Sequence, residues 1–157
     1  MELTLEQALQ KGVEAHKAGK AQEADRYYTA ILKTNPKHPD ANHNMGVLAV
    51  GVGKVEAALP FFETALEANP NIAQFWLSYV DALIRIDRLA DAQVMLDKAR
   101  SHGAKGDEFV RIENILTNVK IEFDGNLRIN KEAEYFNTQQ IYQNRFTRPS
   151  TCPWKLT

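Results

Sequence analysis

Cysteine is nearly missing. Cys152 stands alone, so no internal disulfide can form, and cohesion has to come from packing. Such thiol usage fits a reducing, cytoplasmic setting. Long hydrophobic runs are missing too. No stretch approaches the ~18 apolar residues of a membrane span, and the opening Met1-Glu2-Leu3-Thr4 is acidic, without an apolar signal core. Charge of one sign is also lacking: 19 Lys and Arg face 20 Asp and Glu, a net −1. A near-neutral chain has no general pull on nucleic acid or anionic membrane. What remains is 157 residues, 44% apolar and 25% charged, a globular composition at the length of one ordinary domain.

Within that length the chain repeats itself every 34 residues. Ala24, Ala58 and Ala92 form one column, Tyr28, Phe62 and Leu96 a second, and Ile31, Ala65 and Ala99 a third. Gly12 pairs with Gly46, Gly19 with Gly53, and Asn35-Pro36 with Asn69-Pro70. Each unit holds two helical patterns: 5–18 and 21–34, 40–51 and 54–68, 72–85 and 88–102. Thr4 to Gln7 has the form of a capping box. Gly19, Gly53 and Asp87 mark the turn inside each unit, where a positive φ is expected. Pro36 and Pro70 stop the second helix, having no amide to donate. The small columns let helices close, and the aromatic one turn later is expected to fill the space between units. One helix pair cannot bury its apolar face alone, so the pairs must stack.

These columns resemble the tetratricopeptide repeat family, over residues 5–104, about two thirds of the chain. Unit 2 matches best, through Met45-Gly46, Ala49, Gly53, Ala58, Phe62, Ala65-Leu66 and Asn69-Pro70; unit 3 adds Trp76 in the tryptophan column. Unit 1 departs with Ala8 in that column and Lys11 in an apolar one; unit 3 departs with Val80 for glycine and Ala104 for proline, so its second helix should end at Gly103. The resemblance implies an all-α fold: a right-handed helix-turn-helix solenoid of about three units, 5–38, 39–72 and 73–106. A capping helix at 107–119 would complete a solenoid of 5–119, with Phe109, Ile112, Ile115-Leu116 and Val119 on one stripe.

The last residues, 120–157, carry no repeat column and are rich in Asn, Gln and aromatics. They hold a net +2 against −3 for residues 1–119. Glu132 to Phe146 has the form of a short helix. Three readings stay open for this tail: it packs back on the solenoid, it is ordered by a partner, or it begins a longer protein.

No catalytic or metal-binding constellation is legible, and no cofactor is implied. His38 and His43, in His-Pro-Asp-Ala-Asn-His, invite a metal, but neither HExxH nor paired CxxC accompanies them. They are expected to be exposed polar residues. Cys152 has no base nearby in sequence to activate it. Gly51-Val52-Gly53-Lys54 lacks the spacing and the preceding strand of a phosphate loop.

The functional candidate is the inner surface formed by the first helices. The resemblance places Leu9, Val13 and Lys17 there from unit 1, His43, Asn44, Val47 and Val50 from unit 2, and Leu77, Ser78, Asp81 and Arg85 from unit 3. Glu6, Asp40, Gln74 and Ile84 share that side. Some family members hold a peptide C-terminus in a clamp of lysine, asparagine and arginine. The matching places here are Leu9, Val13, Asn44, Gln74 and Ser78, and only Asn44 fits. A neutral site cannot offset the desolvation of a carboxylate, so no such clamp is expected. Asn44 is left to bond a ligand's backbone or to sit in solvent, while Val47 and Leu77 serve either a ligand or helix packing.

The expected function is a non-catalytic protein-interaction module or scaffold, holding a peptide or protein partner in its groove. Neither nucleic acid nor membrane is expected as a partner. Two alternatives stand beside it: a presenting region at the front of a bacterial glycosyl-, sulfo- or methyltransferase, as the Gln74-to-Tyr79 stretch and the bend at Gly103-Ala104-Lys105-Gly106 suggest by resemblance, and a scaffold self-associating through the tail or capping helix.

Overall fold

The computed structural model describes residues 3–123, with side chains to residue 118. The expectations for Val119, the 120–157 tail and Cys152 therefore lie outside the described residues. Seven helices follow one another, with no strand among the described residues: α1 (Leu5–Lys17), α2 (Ala21–Thr34), α3 (Pro39–Gly51), α4 (Val55–Ala68), α5 (Ala73–Arg85), α6 (Leu89–Ser101) and α7 (Asp107–Phe123). The chain divides into two compact units after Glu113. The first six helices and the first two turns of α7 belong to the first unit.

Local chemistry sets the ends of these helices. The Thr4 hydroxyl accepts from the Gln7 amide while the Gln7 side chain accepts from the Thr4 amide, so two otherwise unpaired donors are satisfied. Gly19, Gly53 and Asp87 turn the chain inside each pair at φ 73°, 79° and 59°. The left-handed region is free of steric cost for glycine and tolerable for aspartate. Before Pro36 and Pro70, α2 and α4 end at Thr34 and Ala68. The amides of Asn35 and Asn69 close the last turns on the Ile31 and Ala65 carbonyls. Gly103, at φ 80°, follows the end of α6.

Consecutive helices pack as antiparallel pairs, α1 on α2, α3 on α4 and α5 on α6, and each pair stacks on the next through α2–α3 and α4–α5. Ala24, Ala58, Ala92, Ile31, Ala65 and Ala99 are all 0% exposed. Small size is required of the alanines, because nothing larger fits a crossing at ~8–10 Å.

The aromatic column does more than fill the space between units. A Cβ added at Gly46 would lie 2.6 Å from the Phe62 ring, and one at Gly12 would lie 2.5 Å from the Tyr28 ring. Each ring thus lies directly on the glycine of its own helix pair. Phe62 also reaches the next unit, with its ring centroid 6.3 Å from that of Tyr79. Unit 3 exchanges both partners: Val80 replaces the glycine and Leu96 the aromatic, and both are 0% exposed. A larger residue on the first helix accompanies a smaller one on the second, as a close-packed core demands.

A second device recurs from unit to unit. The Trp76 indole N–H donates to the Pro70 carbonyl at 2.7 Å. In the same column of unit 2, the Asn42 side-chain amide donates to the Pro36 carbonyl at 2.9 Å, and also to the His38 carbonyl. Each side chain ties the proline that ends one unit to the first helix of the next. In unit 1 the same column holds Ala8.

Candidate functional site

The first helices lie side by side: α1 touches α3, and α3 touches α5. They form one continuous face, whose exposure varies along each helix. On α1, Leu9 is half-buried, Val13 is buried and Lys17 is exposed. On α3, Val47 and Val50 are half-buried, whereas His43 and Asn44 are 6% and 2% exposed. On α5, Leu77 is buried, and Ser78, Asp81 and Arg85 are half-buried. An open depression of about 450 Å³ lies elsewhere, at the start of α2 beside Lys20, Glu23 and Arg26. Its lining residues are mostly exposed, and it has no part in this face.

The histidines differ from the sequence expectation of exposed polar residues. His38 caps α3, its Nδ1 accepting from the Ala41 amide at 3.3 Å. His43 is a core residue. Its ring stacks on Phe75 at 4.6 Å and tilts against Phe62 at 5.9 Å. Its Nε2 shares a hydrogen bond of 2.9 Å with the Ser78 hydroxyl, which also accepts from the Gln74 side chain at 3.2 Å. The reason for the correction is tertiary. His43 lies where α3 meets α5, and Phe75, unremarkable in the sequence, closes over it.

Burial pushes the His43 pKa down to about 4, with hydrogen bonding to Asn44 acting the other way and nearby His16 acting with burial. A histidine beside a serine invites comparison with a base and its nucleophile. An imidazole so weakly basic is a poor general base near neutral pH, however, and this one is wedged between two phenyl rings. The pair joins unit 2 to unit 3. Among the described residues, no group of three or more His, Cys, Asp or Glu side chains is placed to hold a metal.

Several buried polar atoms on this face have no hydrogen-bond partner among the described residues: His16 Nδ1 on α1, Asn44 Nδ2 on α3 and Asp81 Oδ1 on α5. The Tyr28 hydroxyl, near His16 on α2, is a fourth. Asp81 is held from one side only: the Arg85 Nε donates to Oδ2 at 2.7 Å. Burial raises the Asp81 pKa, against the pull of Arg85. Burial also lowers the pKa of His16. The sequence singles out Asn44 and Asp81 by their columns. It carries no sign that the two are unpaired, since pairing depends on neighbours from other helices.

Residues 49–111 match the family model described as tetratricopeptide repeat. Over that stretch the chain is similar to tetratricopeptide repeats. Solved structures share the fold. The tetratricopeptide domain of Sgt2 from Aspergillus fumigatus superposes with a TM-score of 0.70 at 17% identity, covering 82% of this chain and 87% of that one. The TPR2B domain of yeast Sti1, in complex with pHsp70, gives a TM-score of 0.65 at 21% identity over 75% of this chain and 97% of that one. The O-GlcNAc transferase of Thermobaculum terrenum gives 0.58 at 19% identity, over 65% of this chain but 20% of that one. No curated protein matches the sequence. Among the described residues, no helix is long and apolar enough to cross a membrane.

Proposed function

We propose that the chain is a non-catalytic interaction module, whose groove of α1, α3 and α5 holds a peptide or a segment of a partner protein. The observation that carries this reading is the half-burial of Leu9, Val47 and Val50 on a face of contiguous helices. Partly exposed aliphatics beside Ser78, Asp81 and Lys17 suit a ligand that is apolar in places and polar in others. The yeast Sti1 domain, of like fold, is seen in complex with pHsp70, which supports a binding role for the same face here. Three units make a short groove, so affinity rests on a few anchors.

The alternative, a presenting region at the front of a larger transferase, draws support from the likeness to the Thermobaculum enzyme. It assigns the groove the same task of holding a segment of another chain.

The test is a quantitative pull-down with the wild type and an Asn44→Ala, Leu77→Ala double variant, with circular dichroism to show that both are folded. A partner retained by the wild type and lost by the variant is the expected result. Equal recovery of every partner removes the groove as the binding site.

A further inference from the structure

Units 2 and 3 are attached at two places. One lies on the side of the second helices: the Trp76 indole is tied to the Pro70 carbonyl, the Tyr79 hydroxyl donates to the Glu63 carboxylate, and the Phe62 and Tyr79 rings meet. The other is the line where α3 touches α5. There His43 is wedged between Phe62 and Phe75 and bonded to Ser78. The two attachments differ in chemistry. An indole bonded to a carbonyl holds no titratable group, whereas the α3–α5 contact turns on an imidazole.

The hydrogen bonds around that imidazole have a direction. Ser78 Oγ accepts from Gln74 Nε2 at 3.2 Å. The hydrogen bond with Asn44 favours the protonated ring, as an accepting side-chain oxygen does. Nδ1 is thereby assigned the hydrogen, and Nε2 accepts from the Ser78 hydroxyl at 2.9 Å. The bonds run one way, from Gln74 to Ser78 to His43 to Asn44. A proton taken up from solvent lands on Nε2 and reverses the serine bond. Nε2 then donates to Oγ, and the serine hydrogen loses its acceptor.

The surroundings do not offset the new charge. From α1, His16 repels it. The nearest titratable group of α2 is Tyr28, beside His16. On α3, Asp40 lies one turn before His43, but its charge interacts with His38. On α5, the charge of Asp81 is held by Arg85. From α4, the ring meets Phe62. A phenyl face attracts a cation less strongly than the water that burial has removed.

We propose that the α3–α5 contact is an acid-released joint: a proton on His43 parts the two helices while the attachment through α4 and α5 holds, so that unit 3 swings from unit 2 and the inner face widens. This goes beyond the binding role proposed above and does not depend on what the face holds. Opening frees the ring from the burial that weakens its basicity, so proton uptake favours the open form roughly thirtyfold more at pH 5 than at pH 7.5.

The test is thiol labelling under native conditions, in a Cys152→Ser background, with a dithiodipyridine that reacts in acid. Ala82→Cys reports on the joint: Ala82 is 0% exposed on α5, in the column of Leu48, which packs against the preceding unit. Ala41→Cys is the control, 0% exposed and packed on Ala8 and Ile31 of unit 1. Each rate is divided by that of the same chain unfolded in urea at the same pH, which removes the titration of the thiol itself. The Ala82→Cys thiol is expected to react faster than the control, with a urea dependence well below that of global unfolding. Its normalised rate should rise about thirtyfold from pH 7.5 to pH 5, and His43→Phe should abolish the rise. Equal protection at both sites, each following global unfolding, overturns the joint, because His43 then acts on the array as a whole. A local opening indifferent to pH overturns it as well. Nitrogen-15 NMR reads the ring of the wild type, so the test survives a variant that fails to fold. A neutral His43 with its hydrogen on Nε2 removes the directed bonds, and the proposal with them.

Discussion

Acid should weaken this array through one residue, His43. Burial holds its pKa at about 4 in the folded chain, against 6.5 for an ordinary histidine. The unfolded chain therefore binds a proton more readily than the folded one. Lowering the pH through 6.5 pulls the equilibrium toward unfolding, and the penalty grows until the folded pKa is passed. Each tenfold loss of proton affinity on folding is worth roughly 1.4 kcal/mol, so the full effect is about 3 kcal/mol, of which about 2 is in force by pH 5. Other groups also respond. The lowered pKa of His16 works in the same direction, whereas the raised pKa values of Asp40 and Asp81 work in the opposite one. A difference between two proteins removes these shared contributions. We expect His43→Phe, which keeps an aromatic ring on Phe75 and Phe62, to lose about 2 kcal/mol less than the wild type between pH 7.5 and pH 5. Urea unfolding at both pH values measures this, and NMR titration of the imidazole checks the cause directly. Equal losses in the two proteins, or an imidazole that titrates near 6.5 in the folded chain, would refute the placement of His43 in the core.

The glycine facing Phe62 should tolerate no side chain. With Phe62 1% exposed and its ring 2.6 Å from the new Cβ, Gly46→Ala should cost about 2–3 kcal/mol in urea unfolding. Gly51→Ala, on the same helix with open space around it, should be neutral or stabilising by up to ~1 kcal/mol; equal effects at both sites would deny the ring-on-glycine packing. Asn42→Ala should cost about 1–3 kcal/mol by leaving the Pro36 carbonyl without its side-chain donor, and a melting temperature unchanged from wild type would show that this tie contributes nothing.

The scaffold is legible in the sequence because its demands are local and repeat. A crossing that admits only alanine, a turn that needs a positive φ and a proline that ends a helix each leave a residue at a fixed offset. The helices accordingly lie within a residue or so of where the columns put them. Only α7 differs more, running to Phe123 rather than stopping at 119. The groove is legible only as positions. His43 reads as an exposed residue in the sequence, although a ring from the following unit covers it. Asn42 carries no signal there, because asparagine and tryptophan share no sequence signature, yet each aims an N–H at a proline carbonyl.

By itself, then, the absence of disulfides, excess charge and long apolar runs, together with a 34-residue period, determined a packed helical array. Periodicity reports what each helix must do to sit on its neighbour, the same task in every unit. Tertiary structure decided which polar atoms in that array find partners. A hydrogen bond between His43 and Ser78 joins residues 35 apart in the chain, whereas Asn44 Nδ2 and Asp81 Oδ1 find no partner among the described residues. Pairing is a property of position in space, and no local pattern encodes it.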